Sequence, residues 1–308
     1  MSDWTAANVP DLTGQTVVVT GGNSGIGLEA ARVCAERGAR VIIGCRNPAK
    51  AESAVQDLSG ARADAKVESI ALDLSSLESV RQCAAELAER APVIDVLVNN
   101  AGIMMPPYET TAEGFESQFG VNHLGHFALT GLVLPQVLNA LAGRIVNISS
   151  MAHNWGKLDF DNLTCEGGKG YSPRVAYGRS KLANLLFSRS LQKRLHAAGS
   201  STIALSAHPG VSQSNLIHRL AENPIFAAVM PIANRLFLQG ADQGALPTLR
   251  AAFDPVAKGD DYYGPRDFNG IRGLPKRVGR NKAAQDDASA EKLWQASEQL
   301  TGVTFTFA

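Results

Sequence analysis

The sequence has little cysteine, no excess of charge of either sign and no long apolar run. Its 4 cysteines are widely spaced among 308 residues and form no Cys-x-x-Cys pair, which argues against a disulfide framework and against a zinc site with paired ligands. Lys and Arg number 29, and Asp and Glu also number 29. The chain therefore lacks the cationic excess that attracts nucleic acid or an anionic membrane. We predict no nucleic-acid partner and no metal site.

No stretch approaches the roughly 18 apolar residues of a membrane-spanning helix. The first residues, MSDWTAANVPDLTGQ, lack the basic and apolar regions of a secretion signal, so we predict a cytoplasmic protein without a membrane span. Apolar residues make up 45% of the chain and charged residues 19%, as is typical of a folded protein. Because no repeat or low-complexity linker interrupts the chain, residues 1–308 are predicted to form one domain.

Strand-like and helix-like segments alternate along the chain. Short, largely apolar and β-branched runs predict strands at 16–20, 40–44, 67–71, 95–99, 144–149 and 202–207. Between them lie segments of helical period, such as 26–37. Ser75 and Glu78 have capping-box spacing and predict a helix from Leu77, and Thr110 with Glu113 predicts another helix. This alternation predicts an α/β fold, a doubly wound parallel sheet with helices on both faces.

A glycine-rich turn follows the first strand and opens the first helix. Residues 20–27 read TGGNSGIG, and glycines at this spacing permit a tight turn and a close backbone approach to a pyrophosphate. The helix behind the turn offers free N–H groups to phosphate oxygens. Arg46 follows the second strand, where an NAD site usually has a carboxylate, and its guanidinium suits a 2′-phosphate. The pattern therefore predicts a dinucleotide site that favours NADP(H) over NAD(H).

Tyr177 and Lys181 are four residues apart in a segment of helical period, so they share one helix face. A cation ~4 Å from a phenol contributes about 4 kcal/mol at an effective dielectric of about 20. This contribution predicts a Tyr177 pKa of about 7, which suits an acid–base catalyst. Ser149 and Ser150 end the fifth strand and residues 99–102 end the fourth. The carboxyl ends of strands are where such sheets bind ligands, so we expect these groups at one edge.

Three other features are interpreted as structural. His123 and His126 have no nearby carboxylate pair, so a metal role is not predicted for them. The cations between residues 266 and 282 are flanked by aspartates, which predicts a solvated or paired surface. Residues 284–300 predict a terminal helix that is closed by Gly302, with Leu293 and Trp294 packed on the body of the protein.

These motifs, in their order along the chain, resemble the short-chain dehydrogenase/reductase family, whose fold is the Rossmann fold. The resemblance extends from residue 15 to about residue 250 and includes the glycine turn, Asn99-Asn100-Ala101-Gly102, Asn122, Ser150, Tyr177 with Lys181, and His208-Pro209-Gly210. The runs NNAGIMMPPYETTAEGFESQFGVNHLGHFALT, RIVNISSMAH and YGRSKLANLLF are similar to one branch of the family. That branch contains retinol dehydrogenases, WW-domain oxidoreductases and protochlorophyllide reductases.

The resemblance implies a catalytic set of Asn122, Ser150, Tyr177 and Lys181. Tyr177 would be the acid in reduction and the base in oxidation, while Lys181 would lower its pKa and hold the nicotinamide ribose. Asn122 would hold a relay water, and Ser150, which the family alignment favours over Ser149, would bind the substrate oxygen. The implied cofactor contacts are Gly21, Asn23, Ser24, Gly25, Ile26, Gly27, Arg46, Asp73, Leu74, Asn99, Ala101, Gly102, Tyr177, Lys181, Pro209, Gly210 and Val211, with Asp73 against the adenine.

Two long segments interrupt the alternation of strands and helices. Residues 151–173 are a loop rich in Gly, Asp and Asn, which the related branch also carries as an insertion. Residues 212–239 follow the sixth strand and are apolar without strand character. They are predicted either to be a substrate lid or to pack on a neighbouring subunit or on the 151–173 loop. A lid of this composition predicts a lipophilic ketone, aldehyde or secondary alcohol as the substrate.

The resemblance implies an oxidoreductase that passes hydride between NADP(H) and a carbonyl or alcohol of a small molecule. One alternative is reduction of a C=C bond, as in protochlorophyllide reductases. Another is a sensor or scaffold that binds NADP(H) without turnover, although such a protein would not need Tyr177, Lys181 and Ser150. Relatives pair through the helices that carry Asn122 and Tyr177, so the resemblance also implies a homodimer or homotetramer.

Overall fold

The computed structural model describes residues 3–211 and 239–307. Our interpretation of residues 212–239 as a lid or an interface falls outside the described residues, except at Gln239. The strands are β1 (Thr16–Thr20), β2 (Arg40–Cys45), β3 (Lys66–Ala71), β4 (Val96–Asn99), β5 (Arg144–Ile148), β6 (Ile203–Ala207), β7 (Tyr262–Asp267) and β8 (Arg272–Arg277). The α-helices are α1 (Gly25–Glu36), α2 (Pro48–Ser59), α3 (Leu77–Arg90), α4 (Ser117–Phe119), α5 (Gly125–Leu138), α6 (Pro173–Ala197), α7 (Ala241–Phe253) and α8 (Asp287–Thr301).

These strands form one sheet in the order β3-β2-β1-β4-β5-β6-β7-β8. Neighbouring strands are parallel except for β8, which is antiparallel to β7. Side chains of β1 alternate between the two faces: Val17 and Val19 pack with α1 and α7 residues, whereas Val18 packs with α3 and α5 residues. Helices therefore cover both faces, and the predicted doubly wound Rossmann fold is confirmed. The strand order reverses beside β1, where such sheets bind nucleotides.

Helix α3 begins at Leu77 as predicted, but its capping residue was assigned one position too early. Ser76, rather than Ser75, is the N-cap, and its hydroxyl accepts a hydrogen bond from the Ser79 amide at 3.3 Å. The Ser75 hydroxyl instead donates to the Asp73 carboxylate at 2.6 Å. Glu78 lies in the first turn of the helix, but two adjacent serines made the capping position ambiguous.

The helix predicted from Thr110 and Glu113 was wrong. Thr110 forms an isolated β-bridge with Glu116, and α4 begins only after Glu116, whose carboxylate caps it. The Glu113 carboxylate accepts a hydrogen bond from the Leu77 amide at 2.6 Å, at the start of a different helix. A local spacing rule cannot distinguish a residue that caps its own helix from one that caps a distant one.

The last two strands were not predicted because they lack strand-like sequence. They read YYGPRD and RGLPKR, with proline and charged residues that are tolerated at a sheet edge. Several cations of this region are paired, in agreement with the predicted solvated or paired surface. Arg277 contacts Asp261 at 2.8 Å, and Arg280 contacts Asp260 at 2.7 Å.

The C-terminal helix α8 and the residues after it pack on α5 and α6. Gly302 ends α8 in a left-handed conformation with φ of 65°, as predicted. Trp294 is 4% exposed, and its ring centroid lies 5.1 Å from that of Phe127 in α5, 5.9 Å from that of Phe187 in α6 and 4.5 Å from that of Phe305. Two copies that paired through these faces of α5 and α6 would have to displace α8. The homodimer or homotetramer stays a prediction.

Candidate active site

The glycine-rich turn lies between β1 and α1. Gly21 and Gly25 have φ of 66° and 54°, a conformation that glycine adopts without strain. A Cβ on Gly27 would lie 2.4 Å from the Asn100 amide nitrogen and 2.6 Å from the Gly21 carbonyl oxygen, so α1 approaches the turn as closely as glycine allows. Ser24 makes no capping hydrogen bond to the first N–H groups of α1. The turn therefore fits a pyrophosphate, which those N–H groups can bind.

Most other predicted cofactor contacts lie at the carboxyl ends of neighbouring strands. Arg46 is exposed directly after β2. Partly exposed positions around the turn and after the other strands are Asn23, Ile26, Asp73, Ala101, Gly102, Pro209, Gly210 and Val211. Leu74 follows β3 and is buried. The structure therefore brings these residues to one edge of the sheet, as predicted from the strand ends.

The side chains of Asn99 and Asp73 have protein partners of their own. Asn99 is 2% exposed, and its amide nitrogen donates to Thr130 and to Asn147, at 2.8 Å in each case. Its amide nitrogen therefore ties two strands and a helix together inside the protein. The Asp73 carboxylate accepts from the Ser75 amide at 2.9 Å, which fixes the turn after β3.

Ser150, Tyr177 and Lys181 come together where β5 ends against α6. Tyr177 is 7% exposed, and the Ser150 side chain lies beside its phenol. Lys181 is 4% exposed; its Nζ donates to the Ile148 carbonyl at 3.1 Å and lies 5.7 Å from the centroid of the Tyr177 ring. The Ser149 hydroxyl donates to the Lys181 carbonyl at 2.8 Å. The structure thus places Ser150, and not Ser149, beside the phenol.

The predicted Tyr177 pKa of about 7 is wrong for this arrangement. Burial raises the pKa of Tyr177 to about 12, and the nearby Ser150 side chain lowers it only in part. Burial also lowers the pKa of Lys181 to about 8, because the ammonium group loses its hydration. The prediction counted the attraction of a nearby cation and left out the desolvation of the phenolate, which is the larger effect here.

Asn122 lies in a π-helical turn, Gly120–Leu124, that joins α4 to α5. Its Oδ1 accepts from the Ile103 amide at 2.8 Å, and its Nδ2 donates to the Ile103 carbonyl at 3.0 Å and to the Ser180 hydroxyl at 2.9 Å. Both ends of the amide are therefore occupied in joining the loop after β4 to α6. Because the side-chain amide is occupied, the main-chain carbonyl is the polar group of Asn122 that can take part in a reaction. Turns of this π type often occur at functional sites.

The backbone of α6 lies against the turn after β5 at Gly178, a residue that the motif analysis passed over. A Cβ on Gly178 would lie 2.8 Å from the Ala152 carbonyl oxygen and 2.9 Å from the Gly156 nitrogen. Because this turn begins at Ser150 and α6 carries Tyr177, the contact sets the spacing of the two hydroxyls. A glycine inside a helical pattern usually has a packing reason. The position of Gly178 in such a pattern was therefore the feature of the sequence that could have indicated this contact.

We expect Gly178→Ala to lower kcat about tenfold. The added methyl group must push the turn away from α6, and displacement of a catalytic group by a fraction of an ångström is costly. The dissociation constant for the cofactor should stay within about threefold, because the glycine-rich turn is untouched. Gly279→Ala is the matched control, since a Cβ there meets nothing within 4 Å. Wild-type kcat in Gly178→Ala would show that the close approach does not set the spacing of Ser150 and Tyr177.

The loop 151–173 is held to the catalytic helix by Arg179, which is 6% exposed. Its Nη1 donates to the Asn162 carbonyl at 2.9 Å, to the Leu163 carbonyl at 2.8 Å and to the Cys165 sulfur at 3.3 Å. Arg179 lies between Tyr177 and Lys181 in the chain but on another side of the helix. The loop is therefore anchored to the same helix that carries the phenol and the amine.

Residues 3–211 and 239–307 contain no group of three or more His, Cys, Asp or Glu side chains that could hold a metal ion. The four cysteines are buried and unpaired. In the same part of the chain, no helix has both the length and the hydropathy that crossing a bilayer requires.

Comparison with known proteins identifies the family. The family model of the short chain dehydrogenases matches residues 15–224. The chain belongs to the short-chain dehydrogenase/reductase family. It is therefore an oxidoreductase of this family, and the predicted resemblance to the retinol-dehydrogenase branch is confirmed. Human retinol dehydrogenase 12 is 40% identical over 295 residues, which cover 95% of this chain and 88% of that protein. Human retinol dehydrogenase 13 is 39% identical over 296 residues, covering 95% of this chain and 86% of that protein.

Solved structures of short-chain dehydrogenases and similar proteins share the fold. An uncharacterized protein from Mycobacterium paratuberculosis is 44% identical with a TM-score of 0.82, and the match covers 99% of this chain and 100% of that one. The Pseudomonas aeruginosa RhlG/NADP active-site complex is 25% identical with a TM-score of 0.64, covering 82% of this chain and 94% of that one.

Proposed function

We propose that this short-chain dehydrogenase is an NADP(H)-dependent enzyme that interconverts a carbonyl and an alcohol. The observation that carries the proposal is the placement of the Ser150 side chain beside the buried Tyr177 phenol, with Lys181 one helical turn further along the same helix. This group lies at the sheet edge where the glycine-rich turn can bind a dinucleotide. When bound, the nicotinamide supplies or accepts the hydride.

Each residue of the proposed site transfers a proton or stabilises a charge. The Tyr177 phenol donates its proton to the carbonyl oxygen in reduction and takes it back in oxidation. The Ser150 hydroxyl donates to the same oxygen, whose negative charge grows as the reaction proceeds. With a pKa of about 8, Lys181 is mostly charged at neutral pH and stabilises the phenolate that Tyr177 becomes. Asn122 contributes its main-chain carbonyl to the path that returns the proton.

The proposed preference for NADP(H) rests on Arg46. It is exposed directly after β2, in the run Gly44-Cys45-Arg46-Asn47, which offers no carboxylate to a ribose 2′-hydroxyl. A guanidinium can bind a 2′-phosphate through two charge-assisted hydrogen bonds. The RhlG structure is described as an NADP complex, which shows NADP bound by that relative and supports the same cofactor here.

We expect Arg46→Ser to weaken NADPH binding roughly 10- to 100-fold, because the change removes a hydrogen bond between charged groups. NADH binding should stay within about twofold, because NADH has no 2′-phosphate. Fluorescence titration with each cofactor measures both constants. Lys66→Ser removes the same charge at the opposite end of a strand, since Lys66 begins β3, and should change neither. Equal weakening of NADPH and NADH by Arg46→Ser would rule out the 2′-phosphate contact.

A lipophilic substrate is proposed from two observations. The curated relatives at about 40% identity are named retinol dehydrogenases, and residues 212–239 are rich in Leu, Ile, Phe and Met. The described residues at the two ends of that segment meet, because the Gln239 amide donates to the Val211 carbonyl at 3.2 Å. The segment therefore leaves and rejoins the fold at one place, beyond β6 at the proposed cofactor edge.

Oxidation of NADPH in the presence of a panel of aldehydes, ketones, quinones and a conjugated alkene tests the proposal, with NADH in parallel. We expect turnover with NADPH on lipophilic aldehydes or ketones. Reduction of the conjugated C=C bond alone would instead support the alternative of protochlorophyllide-reductase type. Tight NADPH binding without turnover across the panel would support the sensor or scaffold, and the proposed reaction would fail.

A further inference from the structure

A buried histidine that the proposed chemistry does not use joins the cofactor turn to Asn122. His126 is 2% exposed and lies in the first turn of α5. Its Nε2 lies 2.9 Å from the hydroxyl of Thr20, the residue directly before the glycine-rich turn. Its Nδ1 lies 3.1 Å from the main-chain carbonyl oxygen of Asn122. One imidazole ring thus contacts two parts of the proposed site. They are the end of β1, which leads into the glycine-rich turn, and the main-chain carbonyl of Asn122, which is proposed to take part in proton transfer.

The partners of the ring determine which nitrogen carries the proton. The Thr20 hydroxyl accepts hydrogen bonds from the Asn100 amide at 2.9 Å and from the Ala101 amide at 3.0 Å, so both of its lone pairs are used. Its own proton has two acceptors within reach, Nε2 of His126 at 2.9 Å and the Val98 carbonyl at 3.4 Å, and the shorter contact favours Nε2. The Asn122 carbonyl can only accept, so Nδ1 must carry a proton.

A charged imidazole does not fit the same arrangement. A proton on Nε2 would face a Thr20 oxygen that has no lone pair left, in a site without water contact. Burial lowers the pKa of His126 to about 4; the hydrogen bond to the Asn122 carbonyl raises this pKa in part, and the nearby Lys181 ammonium helps to lower it. The ring is therefore neutral at ordinary pH, with its proton on Nδ1.

We propose that His126 is a positioning residue for proton transfer, which holds the Asn122 carbonyl in a fixed orientation through its Nδ1–H group. This inference rests on the proposed function, because it gives the Asn122 carbonyl a part in the reaction. The Asn122 side chain is already occupied by Ile103 and Ser180, so it fixes the position of the residue. His126 fixes the direction of the Asn122 carbonyl. The other side of its ring contacts Thr20, at the entrance to the glycine-rich turn.

Two isosteric substitutions separate the two bonds of the ring. In His126→Asn, the side-chain NH₂ group can occupy the place of Nδ1 and keep the bond to Asn122, while the bond to Thr20 is lost. In His126→Gln, the amide can reach the place of Nε2 and keep the bond to Thr20, while the bond to Asn122 is lost. Each variant loses one buried hydrogen bond, so their melting temperatures should fall by similar amounts.

We expect His126→Asn to keep kcat within about twofold and His126→Gln to lose roughly five- to tenfold, the effect of one hydrogen bond. KM for the carbonyl substrate and the NADPH dissociation constant should change little in either variant, because neither ligand contacts the ring. A purely structural role for His126 would lower kcat equally in both variants, and this result would overturn the proposal. So would a wild-type kcat in His126→Gln.

A second measurement does not depend on activity or on the stability of a variant. Long-range proton–nitrogen correlation spectra of the wild-type protein, labelled at its histidine ring nitrogens, distinguish the two neutral tautomers from the charged ring. We expect the His126 signal, assigned by its absence from either variant, to show the neutral form with Nδ1 protonated. A proton on Nε2 at neutral pH would overturn the proposal. If the wild-type enzyme turned over no carbonyl or alcohol, the proposed function would fail, while these spectra would still decide the tautomer.

Discussion

Replacement of Tyr177 by Phe should nearly abolish turnover and leave NADPH bound. The change removes one oxygen from a residue that is 7% exposed, and the ring that packs beside Lys181 stays in place. Acid–base catalysis by a placed side chain is worth roughly 100- to 10,000-fold in rate, and we expect kcat to fall within that range. NADPH affinity should change less than about threefold, since the glycine-rich turn and Arg46 are unaltered.

A matched control removes a buried phenol oxygen elsewhere. Tyr263 is 1% exposed in β7, and its hydroxyl donates to Asp261 at 3.3 Å, away from Ser150 and Lys181. Tyr263→Phe should keep wild-type kcat and lose about 1 kcal/mol of unfolding free energy. Single-turnover measurements on both variants, with cofactor binding measured separately, distinguish chemistry from binding. More than a tenth of the wild-type kcat in Tyr177→Phe would show that another group donates the proton.

The parts of this site that the sequence predicts are those governed by short-range rules. Glycines at 21, 25 and 27 are needed by a turn that only glycine can form, and the structure has positive φ at the first two. Tyr177 and Lys181 share a helix face because they are four residues apart. Apolar, β-branched runs identify β1 to β6, because these strands, apart from the edge strand β3, are buried on both faces.

The parts that failed depend on partners far away in the chain. The pKa of Tyr177 depends on how completely the fold buries the phenol, which a spacing of four residues does not show. The Asn99 amide nitrogen bonds Thr130 and Asn147, and these contacts could not be predicted because they require three separate segments to meet. His126 gives no local signal either, because the position of its ring proton depends on a contact with Thr20, 106 positions earlier.

Replacement of Trp294 by Ala should cause the largest loss of stability among the changes considered for this protein. The indole is 4% exposed between α5, α6 and Phe305, and Arg194 lies over its ring at 4.1 Å. Removing such a side chain leaves a cavity and costs about 3–5 kcal/mol. We therefore expect the melting temperature to fall by roughly 10 °C.

Trp155→Ala is the control for this change. It removes the same type of side chain, which also lies against an arginine. Arg174 lies over the Trp155 ring at 4.1 Å, but this indole is 44% exposed and leaves no closed cavity. Its loss should cost less than about 1 kcal/mol. Equal losses in the two variants would mean that cation–π contact, rather than packing of α8, stabilises the protein. A much larger loss in Trp294→Ala would show that α8 holds together α5 and α6, the helices on either side of the proposed site.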